Sequence, residues 1–117
     1  MAKKKKASSQ LKHSSAEAVH GLVDYAPDAV VSRTLLANGA GTITLFAFDE
    51  GQGLSEHTAP FDAFVQIIDG EGVFKIGKKK VVAKKDDLLI MPAGVPHALD
   101  AKKPFKMMLT MLRAAKE

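Results

Sequence analysis

The sequence predicts an all-β protein, a jelly-roll barrel of the double-stranded β-helix kind, preceded by a short irregular N-terminal segment. Three observations predict it. From Ala29 onward, short stretches rich in Val, Ile, Leu and Phe recur at roughly eight- to twelve-residue intervals, the spacing of β-sandwiches and barrels. Gly, Pro, Asn and Asp stand between them, the residues that supply turn geometry. No long helical stretch intervenes, and closing such a chain into a double sheet hides strand edges that would otherwise pair with other chains.

Taken in order, Ser14-Ser15 ahead of Glu17 and Val19 marks a short helix start, and Pro27 ends regular structure there. Strands are expected at Val30–Leu36, Thr42–Phe48, Ala63–Ile68, Gly72–Ile76, Lys80–Ala83, Leu88–Met91, His97–Asp100 and Phe105–Leu112. Asn38-Gly39, Asp69-Gly70 and Gly77-Lys78 read as turns that connect neighbours into a meander of hairpins. Phe64-Val-Gln-Ile-Ile and Met107-Met-Leu-Thr-Met-Leu are apolar at consecutive positions, so both faces of those strands are expected to be covered. A second copy of the chain is the simplest cover, making a homodimer, and a helix or the N-terminal segment folded over the face is the alternative.

A chain of 117 residues is one domain's worth, long enough to bury a sizeable core. Its apolar content of 46% is ordinary for a soluble protein, and no apolar run approaches the roughly 18 residues a membrane span needs. The net charge of +4 is local. Five of the 17 basic residues are Lys3, Lys4, Lys5, Lys6 and Lys12, while all 13 acids follow position 12. Residues 1–12 therefore read as a flexible lysine-rich tail and residues 13–117 as a nearly neutral barrel, which argues against nucleic acid apart from non-specific contacts of the tail. With no cysteine, disulfides and thiolate metal sites are excluded. No signal-peptide segment follows the lysines, so a cytoplasmic protein is expected.

Two phrases carry the chemistry: Gly53-Leu-Ser-Glu-His57-Thr-Ala59-Pro60, running on to Ile67-Ile-Asp-Gly70, and Asp86-Asp-Leu-Leu-Ile-Met-Pro92-Ala-Gly94-Val-Pro96-His97. In the second, proline fixes φ and Gly94 allows positive φ, so the chain turns sharply and His97 enters a new strand facing the interior. In the first, residues 57 and 59 share a face if the strand continues.

Together the phrases resemble the paired motifs of the cupins, in particular the small single-domain, RmlC-like conserved barrels of the cupin 2 type. The second motif keeps its proline, glycine and histidine as Pro92, Gly94 and His97, with Asp86 at its leading glycine and Ala101 at its closing asparagine. The resemblance implies a jelly roll and, in metal-dependent members, an ion held by three histidines and a carboxylate or amide. Carried onto this chain, those ligand positions are His57, Ala59, Ala63 and His97. Two of the four cannot bind metal. Asp62 is the candidate third ligand if a bulge turns its carboxylate inward, whereas Gln66 has the wrong parity.

The expected function is therefore binding of a small molecule in a barrel whose metal site is degenerate. His57, His97, Met91, Phe64 and Met107 are the expected pocket residues, with a carboxylate, a carbonyl or an aromatic ring on the ligand. The alternative is a metal-dependent oxygenase, isomerase or decarboxylase of a small organic acid, using His57 and His97 with weakly bound Fe, Mn, Ni or Zn. A third reading has the lysine arm make partner contacts while the barrel dimerises.

Overall fold

The structure, a computed structural model, describes residues 10–113. After a 3-10 turn at Val19–Gly21 come nine strands: β1 Val30–Asn38, β2 Gly41–Phe48, β3 Gly53–His57, β4 Phe61–Asp69, β5 Glu71–Ile76, β6 Lys79–Lys84, β7 Leu88–Met91, β8 His97–Asp100 and β9 Phe105–Arg113. All eight expected strands are present. The ninth, β3, is short and polar at its exposed end, so it gives no apolar run to recognise. No α-helix forms among the described residues, and the helix expected after Ser15 is reduced to the 3-10 turn.

The strands form two sheets, one in the order β1-β2-β9-β4-β7 and the other β3-β8-β5-β6. This corrects the expected meander. Of the three turns read as hairpins, only those joining β1 to β2 and β5 to β6 connect paired strands. The Asp69-Gly70 turn instead carries the chain from one sheet into the other. Gly70 stands there at φ +71°, and a Cβ on it would collide with the Pro104 carbonyl oxygen. A jelly roll crosses between its sheets in this way because each sheet must bury one face against the other.

Between the sheets, side chains of one parity form the main core. Phe48, Val65, Ile67, Phe105 and Met107 from the five-stranded sheet meet Phe74, Ala83 and Leu99 from the other. Stacking of Phe48 on Phe105, with ring centroids 4.8 Å apart, ties β2 to β9. The opposite parity of the five-stranded sheet forms a second core. Leu35, Leu45, Ala47 and Ile68 pack there against Val23, with Leu11, Val19, Leu22 and Tyr25 around them.

The N-terminal segment thus straps one end of the outer face. Leu11 donates its N–H to the Leu35 carbonyl, Arg33 Nη1 to the Leu22 carbonyl and Lys106 Nζ to the His20 carbonyl. Lys106 is buried, with its ammonium 5.1 Å from the Tyr25 ring centre, and Tyr25 donates its hydroxyl hydrogen to Asp69 Oδ2 at 2.6 Å. Leu11, inside the stretch expected as a tail, already contacts the barrel, because it has an apolar side chain to bury. Residues 1–9, which hold four of the five tail lysines, lie outside the described residues.

Toward β4 and β7 none of the described residues covers the outer face. Leu36, Ile43, Thr110, Phe64 and Ile90 are successive register partners across all five strands, an apolar row interrupted only by a threonine. Leu36, Phe64, Ile90 and the nearby Leu112 and Leu88 are exposed.

Candidate functional site

His57 ends β3 and His97 begins β8, and the two are register partners in this antiparallel pair. The turn that delivers His97 has the geometry its sequence requires. Gly94 sits at φ +78°, Val95 N–H bonds the Pro92 carbonyl, and Gly94 N–H bonds the Ala59 carbonyl to tie the two motif segments together. His97 is buried and His57 lies exposed at the mouth. Their rings meet edge to face, centroids 4.4 Å apart and planes at 71°.

Each imidazole is fixed through Nδ1. His57 Nδ1 lies 2.8 Å from the Ser55 carbonyl oxygen and His97 Nδ1 lies 3.1 Å from that of Val95. A carbonyl oxygen only accepts, so both Nδ1 atoms carry hydrogen. In the neutral rings this leaves Nε2 unprotonated on both, the arrangement that backbone carbonyls impose on histidines serving as ligands.

The pair closes one end of a cavity between the sheets. Leu54, Ala59, Phe61, Ala63, Met91, Ala98, Leu99, Met107, Leu109 and Met111 supply the rest of its wall, so among the described residues the imidazoles are its only polar side chains. The cavity volume is about 40 Å³, room for roughly three waters. That size selects a small ligand. The strands present these residues by alternation: Ala63 and Met91 are register partners, as are Ala63 and Met111, and all three point inward.

Among the residues expected at the site, His57, His97, Met91 and Met107 do converge on this cavity. Phe64 does not. It follows Ala63 and precedes Val65, both inward, so it lies on the outer face of the sheet and is partly exposed. Asp62 is also corrected as a third ligand. The pairing of β4 with β9 runs unbroken from Phe61 to Ile67, so no bulge turns Asp62 inward, and its Oδ1 instead accepts the Ala93 N–H at 2.9 Å. Ala59 lies beyond the end of β3 yet lines the cavity, and Gln66 faces outward as its parity requires. Phe61 and Leu54 were not expected at the site; Leu54 lies within the first motif segment and Phe61 directly follows Pro60, but their types carry no signal of a pocket.

The site does not fit a resident Fe, Mn, Ni or Zn ion. Among the described residues no three His, Cys, Asp or Glu side chains come together, whereas such ions generally take three protein ligands or two histidines and a carboxylate. Positions 59 and 63 offer only methyl groups.

A family model described as the cupin domain matches residues 44–112, more than half of the chain and both histidine segments. The chain belongs to the cupin family. Among solved structures, this cupin is similar to a conserved protein of unknown function from Streptococcus pyogenes, at 31% identity and TM-score 0.84 over 91% of this chain and 93% of that one. A cupin superfamily protein from Desulfitobacterium hafniense is 28% identical, with TM-score 0.83 over 89% of this chain and 95% of the other. A cupin 2 conserved barrel domain protein from Leptotrichia buccalis is 34% identical at TM-score 0.78, covering 80% of this chain and 46% of that protein. Comparison with curated proteins found no match. The cupin jelly roll expected from the two motifs is thereby established, and no helix among the described residues is long and apolar enough to cross a membrane.

Proposed function

We propose that this cupin binds a small, largely apolar molecule end-on, with its polar end held by the Nε2 atoms of His57 and His97. One observation carries the reading: a small cavity whose wall is apolar except for two imidazoles, each with Nδ1 already committed to a backbone carbonyl. Apolar walls with a few convergent polar groups are the usual make-up of small-molecule sites. The ligand class is a small carbonyl compound or a small carboxylic acid; the aromatic ring expected from the sequence is too bulky for the cavity. Among the described residues no Lys or Arg lines the wall, which argues against phosphorylated ligands.

Methyl NMR of labelled methionines tests this reading with acetate, propionate and pyruvate as probes. Saturable shifts at Met91, Met107 and Met111, lost in a His57→Ala/His97→Ala variant, are expected with at least one probe. Unmoved methyls throughout would refute it.

The apolar row on the outer face supports a homodimer as part of the same proposal. Four of its five residues are aliphatic or aromatic, and an uncharged surface can meet its own copy across a two-fold axis without like-charge repulsion. Cytoplasmic location completes the proposal and is checked by cell fractionation.

A further inference from the structure

β7 is an edge of the five-stranded sheet, bonded to β4 on one side and, among the described residues, to no strand on the other. The register fixes which of its backbone groups face the free side. β4 and β7 pair without a break from Ala63 with Met91 to Gln66 with Leu88, and one step further Ile67 donates its N–H to the Asp87 carbonyl. Antiparallel pairs alternate between those that exchange hydrogen bonds and those that do not. Counted from Ile67 with Asp87, the bonded pairs are Val65 with Leu89 and Ala63 with Met91. Leu88 and Ile90 therefore turn their N–H and C=O groups to the free edge.

The same two residues expose their side chains. Leu88 and Ile90 are each 58% exposed, and Phe64 lies beside Ile90 as its register partner. Edge strands that meet only water carry charges, prolines or bulges that discourage pairing, as β6 does with Lys79, Lys80 and Lys84 at the edge of the other sheet. β7 carries none of these between Leu88 and Met91.

The strand ends leave one antiparallel register for a second β7. Ile90 opposite Ile90 would set Leu88 against Pro92, which has no N–H to give. Leu88 opposite Leu88 would set Ile90 against Asp86, whose N–H is already bonded to the Ile67 carbonyl. Any further slip carries one of them past the end of the strand. Leu88 opposite Ile90 matches every outward donor with an acceptor and puts Leu89 opposite Leu89 on the axis. Asp86 and Asp87 then face Pro92 and Met91 of the other copy, so no like charges meet, and Leu88 pairs with Ile90 in apolar contact on the outer face.

We propose that two copies of this chain join edge to edge through β7, antiparallel and with Leu88 opposite Ile90, so that their five-stranded sheets become one continuous sheet. The proposal rests on the reading of the chain as a homodimer and places its two-fold axis at Leu89.

Amide exchange of the full chain, followed by NMR from micromolar to millimolar concentration, tests it. The Leu88 and Ile90 amides should pass from fast to slow exchange as the dimer forms, while those of Leu89 and Met91, bonded to β4, stay slow throughout. Ile90→Lys changes an exposed side chain, so it should keep the fold and leave the Leu88 amide fast at every concentration. The chain has no cysteine, so Leu89→Cys supplies a single thiol. Facing residues of a non-bonded pair have Cα atoms about 4.5 Å apart, within reach of a disulfide. Mild oxidation should thus link Leu89→Cys into a covalent dimer roughly tenfold or more faster than Val82→Cys, whose thiol is exposed on the other sheet. A dimer whose Leu88 and Ile90 amides stay fast would overturn the edge pairing and leave a homodimer joined through its outer face. Slow exchange of both amides at every concentration would overturn it too, because the chain would then cover its own edge. A monomer throughout removes the homodimer and the edge pairing together.

Discussion

His57 and His97 are register partners across β3 and β8, yet one is buried and the other stands at the mouth of the cavity. The same residue type therefore has two physical roles. His97 fills core volume and holds the Val95 carbonyl, whereas His57 is held chiefly by its bond to Ser55. Replacing His97 by Ala is expected to cost about 2 kcal/mol of stability, through lost packing and an orphaned carbonyl. Replacing His57 should cost less than about 0.5 kcal/mol. Urea denaturation of the two variants checks the difference, and equal losses would contradict the placement.

Asp86 occupies the position where the second cupin motif carries glycine, and its backbone sits at φ +76°. A non-glycine residue there costs energy, less for Asp than for most residues because its side chain can bond locally. Asp86→Gly is expected to match or exceed the parent by about 0.5 kcal/mol, after the added chain entropy of glycine is counted. Asp86→Ala should lose about 1 kcal/mol. Midpoints of thermal unfolding rank the three.

Tyr25 joins the N-terminal strap to Asp69, and burial first, then the hydrogen bond and the negative charge of Asp69, raise its pKa well above the usual tyrosine value. In the unfolded chain the phenol ionises near its ordinary pKa of about 10, while in the folded chain it keeps its proton to higher pH. Above about pH 10 the unfolded state thus holds fewer protons than the folded one, and stability falls as pH rises. Below that pH the contribution is complete. Tyr25 is the only tyrosine, so its ultraviolet titration reads the strap directly, and Tyr25→Phe should remove this alkaline loss while costing about 1 kcal/mol at neutral pH. An ordinary tyrosine titration would contradict the bond.

Phe64 and Ile90 are exposed cross-strand partners on the outer face, at the β7 edge of the sheet. If that face joins two copies, Phe64→Glu or Ile90→Glu puts like charges against each other and should convert a dimer to a monomer in light scattering at micromolar concentration, with the fold kept. A monomeric parent protein would remove the dimer from the proposal.

Much of this architecture is legible in the sequence because strand alternation and turn residues are local signals. The strand cores fall within the expected stretches, and Pro92, Gly94 and His97 forecast a turn that forms as its chemistry requires. Parity decides the site as well. It correctly turns Gln66 outward, and applied to Phe64 the same rule would have kept that residue from the pocket. What the sequence conceals is non-local. Nothing in Lys106 or Tyr25 alone announces that an N-terminal strap will bury one against the other across more than eighty positions. Nor does any local pattern show that Met91 and Met111, twenty residues apart, will flank the same alanine.

The short strand β3 lies at the edge of its sheet, bonded to β8 alone, and its register slips between Leu54 and His57. The half of the site that it carries is thus mounted on a thinly fastened part of the barrel. Whatever binds both imidazoles must also clasp this margin shut, so part of the intrinsic affinity is spent on quenching local fraying. Binding should then slow amide exchange along β3 out of proportion to the few atoms the ligand touches, which makes the strand a built-in reporter of occupancy.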